Sequence, residues 1–186
     1  MTLPPEAFRN PSILLSGEVC QDLYKDFRTQ LDAAPGAGVI VVELSTLGGD
    51  PEIARMMGED IRFHSEVEPD RRFVFLGKAA VYSAGVTFMS FFSRENRYLT
   101  RGARLLIHER QMDKSLCLVG PLTTCVASVQ ALASEIETGI RIQDEGFANL
   151  AAGSSVTLDE VRTKAVSNWY VEADEAVALG LVEATI

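Results

Sequence analysis

The sequence predicts an α/β domain built from repeated βαβ units. Three runs of mainly apolar residues, at 39–42, 73–76 and 104–107, have the composition of buried strands. Their starts lie 34 and 31 residues apart (73 − 39 and 104 − 73), about the length of a unit in which a helix crosses over between two parallel strands. Because the runs do not alternate with polar residues, we expect the strands to be buried on both faces of a sheet.

The segments around these runs predict the remaining elements. Asp50 followed by Pro51 has the pattern of a capped helix start, and residues 127–151 place their apolar side chains on one broad face of a long helix. Further strands are expected at residues 13–15 and 169–171, and further helices at residues 18–34, from Asp159 and from Ala173. No linker divides the chain, so residues 1–186 are expected to form one domain, with residues 1–12 as a short N-terminal arm.

Composition and charge exclude several classes of function. The chain is 47% hydrophobic and 23% charged, as in ordinary globular proteins, and its net charge of −9 would repel a phosphate backbone, so no nucleic-acid partner is expected. The longest uncharged stretch, residues 79–93, is too short to cross a bilayer, and the N-terminus lacks a signal pattern, so no membrane partner is expected. Three cysteines without CxxC spacing predict neither a disulfide framework nor a metal site, and favour a cytoplasmic location.

Only two histidines could act as a general base. His64 lies near the end of a predicted helix among charged residues, which is typical of a solvated helix end. His108 directly follows the apolar run 104–107, and the C-terminal ends of parallel strands are where the sites of α/β proteins assemble. His108 is therefore the better candidate.

Ser83 is the candidate nucleophile. Small residues follow the run 73–76, and we expect them to form a short turn that places Ser83 at the start of a helix. There its hydroxyl would stand beside free backbone N–H groups, which could stabilise an oxyanion. The same position is typical of an ordinary N-cap serine, and the segment lacks the GxSxG pattern of the α/β-hydrolases. The segment alone leaves both interpretations open.

A glycine pair forms a third candidate feature. Gly48 and Gly49 follow the run 39–42 and precede Pro51. Paired glycines let backbone N–H groups approach a ligand closely, but the segment lacks the pattern of a phosphate loop or a dinucleotide-binding turn. A plain tight turn is the alternative.

Together and in this order, these features resemble the proteolytic subunit of the Clp-type serine peptidases, and the chain is identified as a divergent member of the Clp/crotonase superfamily. The family's Ser-Pro-Gly-Gly turn is matched in part by Thr-Leu-Gly-Gly at residues 46–49. Its nucleophile segment, Arg-Tyr pair, Ala-Arg-x-x-Ile-His strand and Glu-Ala-Val-x-x-Gly-Leu-Val-Asp ending are matched at residues 83–85, 97–98, 103–108 and 175–183. The separation of 25 residues between Ser83 and His108 (108 − 83) also fits the family pattern. The resemblance spans roughly residues 13–186.

The resemblance implies a Clp protease/crotonase-type fold, with a long protruding helix after the strand of the catalytic histidine. It implies a serine peptidase for unfolded polypeptides or short peptides, without a cofactor. Ser83 would be the nucleophile, His108 the general base, and the backbone N–H groups of Gly49 and Ala84 the oxyanion hole. Asn168 occupies the position of the family's catalytic aspartate. An asparagine can orient the histidine but cannot supply charge to the imidazolium, so activity could be attenuated.

Other departures and alternatives stay open at this point. Asp159, Glu172 or Asp174 could replace the missing aspartate, and residues 109–121 are longer than usual and lack the family's Gln-Pro. The resemblance implies a homo-oligomeric ring and a possible unfoldase ATPase partner, but an arm as short as residues 1–12 makes coupling to that ATPase doubtful. The alternative functions are a weak or inactive ring subunit with a structural role, or a crotonase-type acyl-CoA enzyme. Labelling of Ser83 by a fluorophosphonate would separate the peptidase from the first, and stabilisation by acyl-CoA would favour the second.

Overall fold

Seven strands form one mostly parallel sheet in the computed structural model, which describes residues 2–186. They are β1 (Ile13–Ser16), β2 (Gly38–Thr46), β3 (Arg71–Tyr82), β4 (Arg97–Leu99), β5 (Arg104–Ile107), β6 (Trp169–Glu172) and β7 (Ala184–Thr185). The main path runs β1-β2-β3-β4-β7, while β5 pairs with the second half of β3 and with β6. Only the β5–β6 pair is antiparallel. The predicted fold class is confirmed.

Six α-helices accompany the sheet within residues 2–186. They are α1 (Gln21–Ala33), α2 (Pro51–Val67), α3 (Ala84–Met89), α4 (Leu122–Ala151), α5 (Leu158–Ala165) and α6 (Ala173–Ala178). The predicted cap of α2 is present, because Asp50 Oδ1 accepts the N–H of Glu52 at 2.8 Å. The helix predicted for residues 18–34 starts later, at Gln21, because Val19 forms a parallel bridge with Gly49 and keeps that segment extended.

The second half of β3 corrects the predicted turn at residues 77–82. The register with β2 shifts between Leu44 and Thr46, and Ala79 has a left-handed φ of 54°. Such an irregularity redirects a strand without ending it. Beyond it, Ala80 pairs with Arg104 and β3 continues to Tyr82 alongside β5. The strand rather than a turn therefore delivers Ser83 to the start of α3.

Both faces of the sheet are covered. On one face the helices pack a large core that includes Phe27 of α1, Met57 of α2 and Phe88 of α3. On the other face the N-terminal arm covers a smaller core, where the rings of Phe8 and Tyr98 lie 4.8 Å apart between centroids. The arm is thus part of the packed domain.

Helix α4 protrudes from the domain, as predicted, although it begins five residues before the predicted residue 127. Of its 30 residues only Phe147 and Leu150 are buried. Among residues 2–186, no helix is both long enough and apolar enough to cross a membrane.

Candidate active site

Ser83 occupies a strained backbone position between β3 and α3. Its φ of 54° and ψ of −112° lie in a region that non-glycine residues rarely adopt and that often marks a functional site. Its side chain makes no capping hydrogen bond, so the interpretation as an ordinary N-cap is wrong. The backbone N–H of Ser83 donates to Leu106 O at 2.9 Å, which fixes the residue beside β5.

The glycine turn packs directly against Ser83. A Cβ added to Gly48, whose φ is 115°, would lie 2.9 Å from the Cβ of Ser83, and one added to Gly49 would lie 2.3 Å from Val19 O. Thr46 Oγ1 accepts the N–H of Gly48 at 3.0 Å and so holds the turn. The segment is a tight turn, as expected under one of the two interpretations of the glycine pair. Only glycine at position 48 lets the backbone of the turn approach Ser83 this closely.

Two backbone donors beside Ser83 have no protein acceptor. The N–H of Gly49 makes none of the hydrogen bonds found within residues 2–186, and Ala84, as the first residue of α3, has no acceptor inside its helix. Gly49, Ala84 and Ser83 line one cleft. An oxygen bound there could accept from both groups.

His108 follows β5 and lines the same cleft. Its Nδ1 lies 2.6 Å from the backbone oxygen of Glu109. A carbonyl oxygen only accepts hydrogen bonds, so Nδ1 carries the proton and Nε2 is the free acceptor. Within residues 2–186 no hydrogen bond joins His108 to Ser83, and contacts of this kind often tighten only when substrate binds.

Asn168 lies beside His108 in the backbone register but outside the cleft. β6 pairs with β5 through Trp169 and Ile107, and one further step along this antiparallel pair brings Asn168 opposite His108. Its φ is 56°, a conformation that asparagine tolerates. Its side chain is exposed and makes no hydrogen bond to His108. Its role as third member of a triad stays a prediction.

Two of the carboxylates considered as replacements are engaged elsewhere. Glu172 pairs with Arg104 at 2.6 Å and Asp159 with Arg162 at 2.9 Å. Asp174 is exposed in the first turn of α6. Neither of the paired carboxylates makes a hydrogen bond to His108 within residues 2–186.

The cleft itself is largely apolar and encloses about 200 Å³. Its apolar wall comes from α3, β5 and the C-terminal half of α4. The side chains of that wall are Val86, Ile107, Ile142, Phe147 and Leu150. The arrangement can accept an apolar group next to Ser83.

The segment that follows β5 is fastened at two points that the sequence did not indicate. The N–H of Arg110 donates to Gln143 Oε1 at 2.7 Å, and its guanidinium donates to Glu52 at 2.6 Å. Burial raises the pKa of Glu52, but hydrogen bonds from Arg110 and Arg55 outweigh it and hold that pKa below its ordinary value. The only sequence signal was the unusual length of residues 109–121.

Arg97, the first residue of the Arg-Tyr pair, links three parts of the chain. Its guanidinium is buried and donates to backbone oxygens at the end of α3, at the end of α4 and at Leu181. The acceptors in the first two places are Ser90 and Phe92, then Asn149 and Leu150, at 2.8–3.1 Å. Burial lowers the pKa of Arg97 to about 10. The residue joins the ends of α3 and α4, the two helices that help to wall the cleft.

His64 lies apart from the cleft, in the last turn of α2. Its side chain is only 16% exposed and lies 3.1 Å from Glu68, so the expected solvated position is corrected to a half-buried one. The ring packs near Phe73. Its place is structural.

Known proteins resemble this chain both in sequence and in fold. No family model matches, but the chain is 25% identical over 182 residues to the ATP-dependent Clp protease proteolytic subunit 2 of Pseudomonas aeruginosa, covering 97% of this chain and 83% of that protein. It is 26% identical over 177 residues to the protein of the same name from Treponema pallidum, covering 91% and 79%. These likenesses over nearly the whole chain support a divergent member of the Clp protease family.

Solved structures of ClpP1 from Listeria monocytogenes share the fold of this chain. The unmodified protein has a TM-score of 0.70, covering 94% of this chain and 89% of that one. An Asn-to-Asp mutant of it has a TM-score of 0.73, covering 94% and 90%. Both are 20% identical to this chain, so the likeness concerns the Clp fold alone.

Proposed function

We propose that this Clp-family chain is a serine peptidase that hydrolyses unfolded polypeptides or short peptides. The observation that carries the proposal is Ser83, whose backbone is strained and whose side chain does not cap α3. It shares an apolar cleft with His108 and with two backbone N–H groups that have no acceptor within residues 2–186. Each of these features fits acyl transfer, in which a hydroxyl needs a base and a developing oxyanion needs donors.

The proposed reaction has two steps, acylation of Ser83 and hydrolysis of the acyl-enzyme. Ser83 Oγ attacks the peptide carbonyl while Nε2 of His108 takes its proton, and the N–H groups of Gly49 and Ala84 hold the oxyanion. His108 then gives the proton to the leaving amine, which departs as the acyl-enzyme forms. A water molecule repeats the sequence and frees the acid product. Asn168 is proposed as the third position near His108, where a neutral amide gives no charge to the imidazolium.

The proposed substrate is an extended peptide with an apolar side chain at the cleft. Burying such a side chain against the α4 wall would hold the scissile carbonyl beside Ser83, and each buried CH₂ group is worth about 0.8 kcal/mol. A folded protein could not present its backbone in this way. The three cysteines are free, which fits the proposed cytoplasmic location.

We also propose a homo-oligomeric ring. The N-terminal part of α4 and the segment before it expose apolar side chains that one domain leaves in water, which is typical of an interface. They include Leu116, Leu118, Val119, Leu122, Val126, Val129, Ile136 and Ile140. Coupling to an unfoldase ATPase is proposed to be weak, because the arm that includes Phe8 is packed on the sheet.

Peptide hydrolysis and probe labelling test the peptidase proposal. Wild type should cleave a fluorogenic peptide with an apolar residue before the scissile bond, and Ser83→Ala should lose this activity while keeping its melting temperature. Ser167→Ala, at an exposed serine, is the matched control and should behave as wild type. Equal turnover by Ser83→Ala would exclude Ser83 as nucleophile.

A weak or inactive subunit is the second candidate. It is favoured by Asn168 and by the lack of a hydrogen bond between Ser83 and His108. Absence of both labelling and cleavage in an assembled wild-type protein would support this alternative.

A further inference from the structure

We propose that the peptide group between Glu109 and Arg110, held by Gln143, orients the catalytic histidine, and that Gln143 is a positioning residue. The proposal rests on the proposed peptidase function and names how its general base is held. It assigns a role in the site to a side chain of α4 and to a backbone group.

The carbonyl side of this peptide group fixes the tautomer of His108. Nδ1 lies 2.6 Å from Glu109 O, an atom that can only accept. Nδ1 therefore keeps its proton and Nε2 keeps the lone pair that must take the proton of Ser83 Oγ. This is the tautomer that a serine peptidase needs, and an aspartate usually secures it.

The amide side of the same peptide group is held by Gln143. The N–H of Arg110 donates to Gln143 Oε1 at 2.7 Å. The side-chain amide must present its oxygen here, because its nitrogen cannot accept. Hydrogen bonds in series polarise one another, so the acceptor on the N–H side strengthens the carbonyl as an acceptor for His108. His108, one peptide group and Gln143 form a continuous chain.

A second contact prevents this peptide group from turning. The Arg110 guanidinium donates to Glu52 Oε1 at 2.6 Å, which ties the residue to α2 while its N–H is tied to α4. Residues 109–119 otherwise have no regular structure. Rotating the peptide would move Arg110 away from its partners, so the two contacts fix the direction of Glu109 O.

Nuclear magnetic resonance of the histidine rings tests the tautomer directly. The chain has two histidines, and His64→Gln assigns the signals. In the intact protein labelled with nitrogen-15, His108 should show a protonated Nδ1. Gln143→Ala should populate the form protonated at Nε2 and leave His64 unchanged. Gln130→Ala removes the same atoms from an exposed position on the same helix and should leave both rings as in wild type.

Kinetics separates positioning from binding. Gln143→Ala should lower kcat about tenfold with KM within about twofold, because the base is misoriented while the cleft remains. Gln143→Glu keeps an acceptor for the Arg110 N–H and should restore most of the loss. A rise in KM alone would make Gln143 a substrate contact and overturn the proposal.

The two proposals fail in different ways. An unchanged His108 tautomer in Gln143→Ala overturns the positioning role, even if the wild type is a good peptidase. A wild type that neither cleaves peptides nor reacts with the probe overturns the peptidase proposal, while the ring tautomer still decides the role of Gln143.

Discussion

At the scale of single residues, the candidate site depends on two backbone positions that ordinary residues avoid. Ser83 has a left-handed φ without being glycine, and Gly48 makes room for its Cβ. The sequence predicted the glycine turn and a serine at the start of a helix, because both are local signals, but it did not predict the left-handed φ of Ser83 or its contact with Gly48. It could not predict Gln143, whose proposed role depends on α4 packing against a segment more than thirty residues earlier.

Gly48→Ala should remove activity while leaving most of the fold intact. The new Cβ would lie 2.9 Å from the Cβ of Ser83 and would require a strained φ of 115°, so the serine must move. We expect a loss of about a hundredfold in probe labelling and of about 1–3 kcal/mol in stability. Gly102→Ala, where a Cβ meets nothing within 4 Å, is the control. Normal labelling of Gly48→Ala would show that the close approach has no catalytic role.

Asn168→Asp should raise kcat, because a carboxylate beside His108 would stabilise the imidazolium by its negative charge. The neutral carbonyl of Glu109 only orients the ring. The reverse change in a serine triad costs about 10⁴, and a gain of at least about tenfold is expected in peptide hydrolysis. In this background Gln143→Ala should cost less than in wild type, since the carboxylate can take over Nδ1. Asn10→Asp adds the same charge at an exposed site and should have no effect. An equal lack of effect at Asn168 would place it outside the site.

At the scale of elements, tertiary pairing decided what local sequence could not. The small residues after Leu76 predict a turn, but pairing with β5 extends β3 to Tyr82 and overrides that preference. The short β4 carries no sequence signal beyond three residues. The strands with long apolar runs and the capped start of α2 were predictable, because these patterns depend on neighbouring residues in the sequence and not on tertiary pairing.

The link between Arg110 and Glu52 should respond to acid. Because the pKa of Glu52 is lowered in the fold, its contribution is present above its unfolded pKa and is lost as pH falls through the lower, folded value. Glu52→Gln should therefore have a lower free energy of unfolding than wild type at pH 7. The difference should be at most about 1 kcal/mol, because the ion pair is exposed. The difference should vanish in strong acid. Glu137→Gln, at an exposed carboxylate that forms no ion pair within residues 2–186, is the control, and a constant difference across pH would refute the link.

At the scale of the whole molecule, the protruding α4 both walls the cleft and exposes an apolar surface. The sequence predicted this helix from its broad apolar face, although it could not show that only its C-terminal part packs on its own domain. The rest of that face has no cover within the described chain. Assembly and the shape of the site are thus expected to share one element.

Val129→Glu should reduce the assembly to smaller species. Light scattering of wild type at micromolar concentration should report a multimer, and the new charge would have to be buried without a partner in the proposed interface. Ser134→Glu adds the same charge at another exposed position of α4 and is the matched comparison. A monomeric wild type would contradict the proposed ring.

Mass spectrometry of the fluorophosphonate adduct identifies the nucleophile and its base in one experiment. We expect one adduct on Ser83 in wild type, none in Ser83→Ala, a labelling rate at least about a thousandfold lower in His108→Ala, and normal labelling in His64→Ala. An adduct on another residue, or equal labelling of the two histidine variants, would contradict the assignment of Ser83 as nucleophile and His108 as its base.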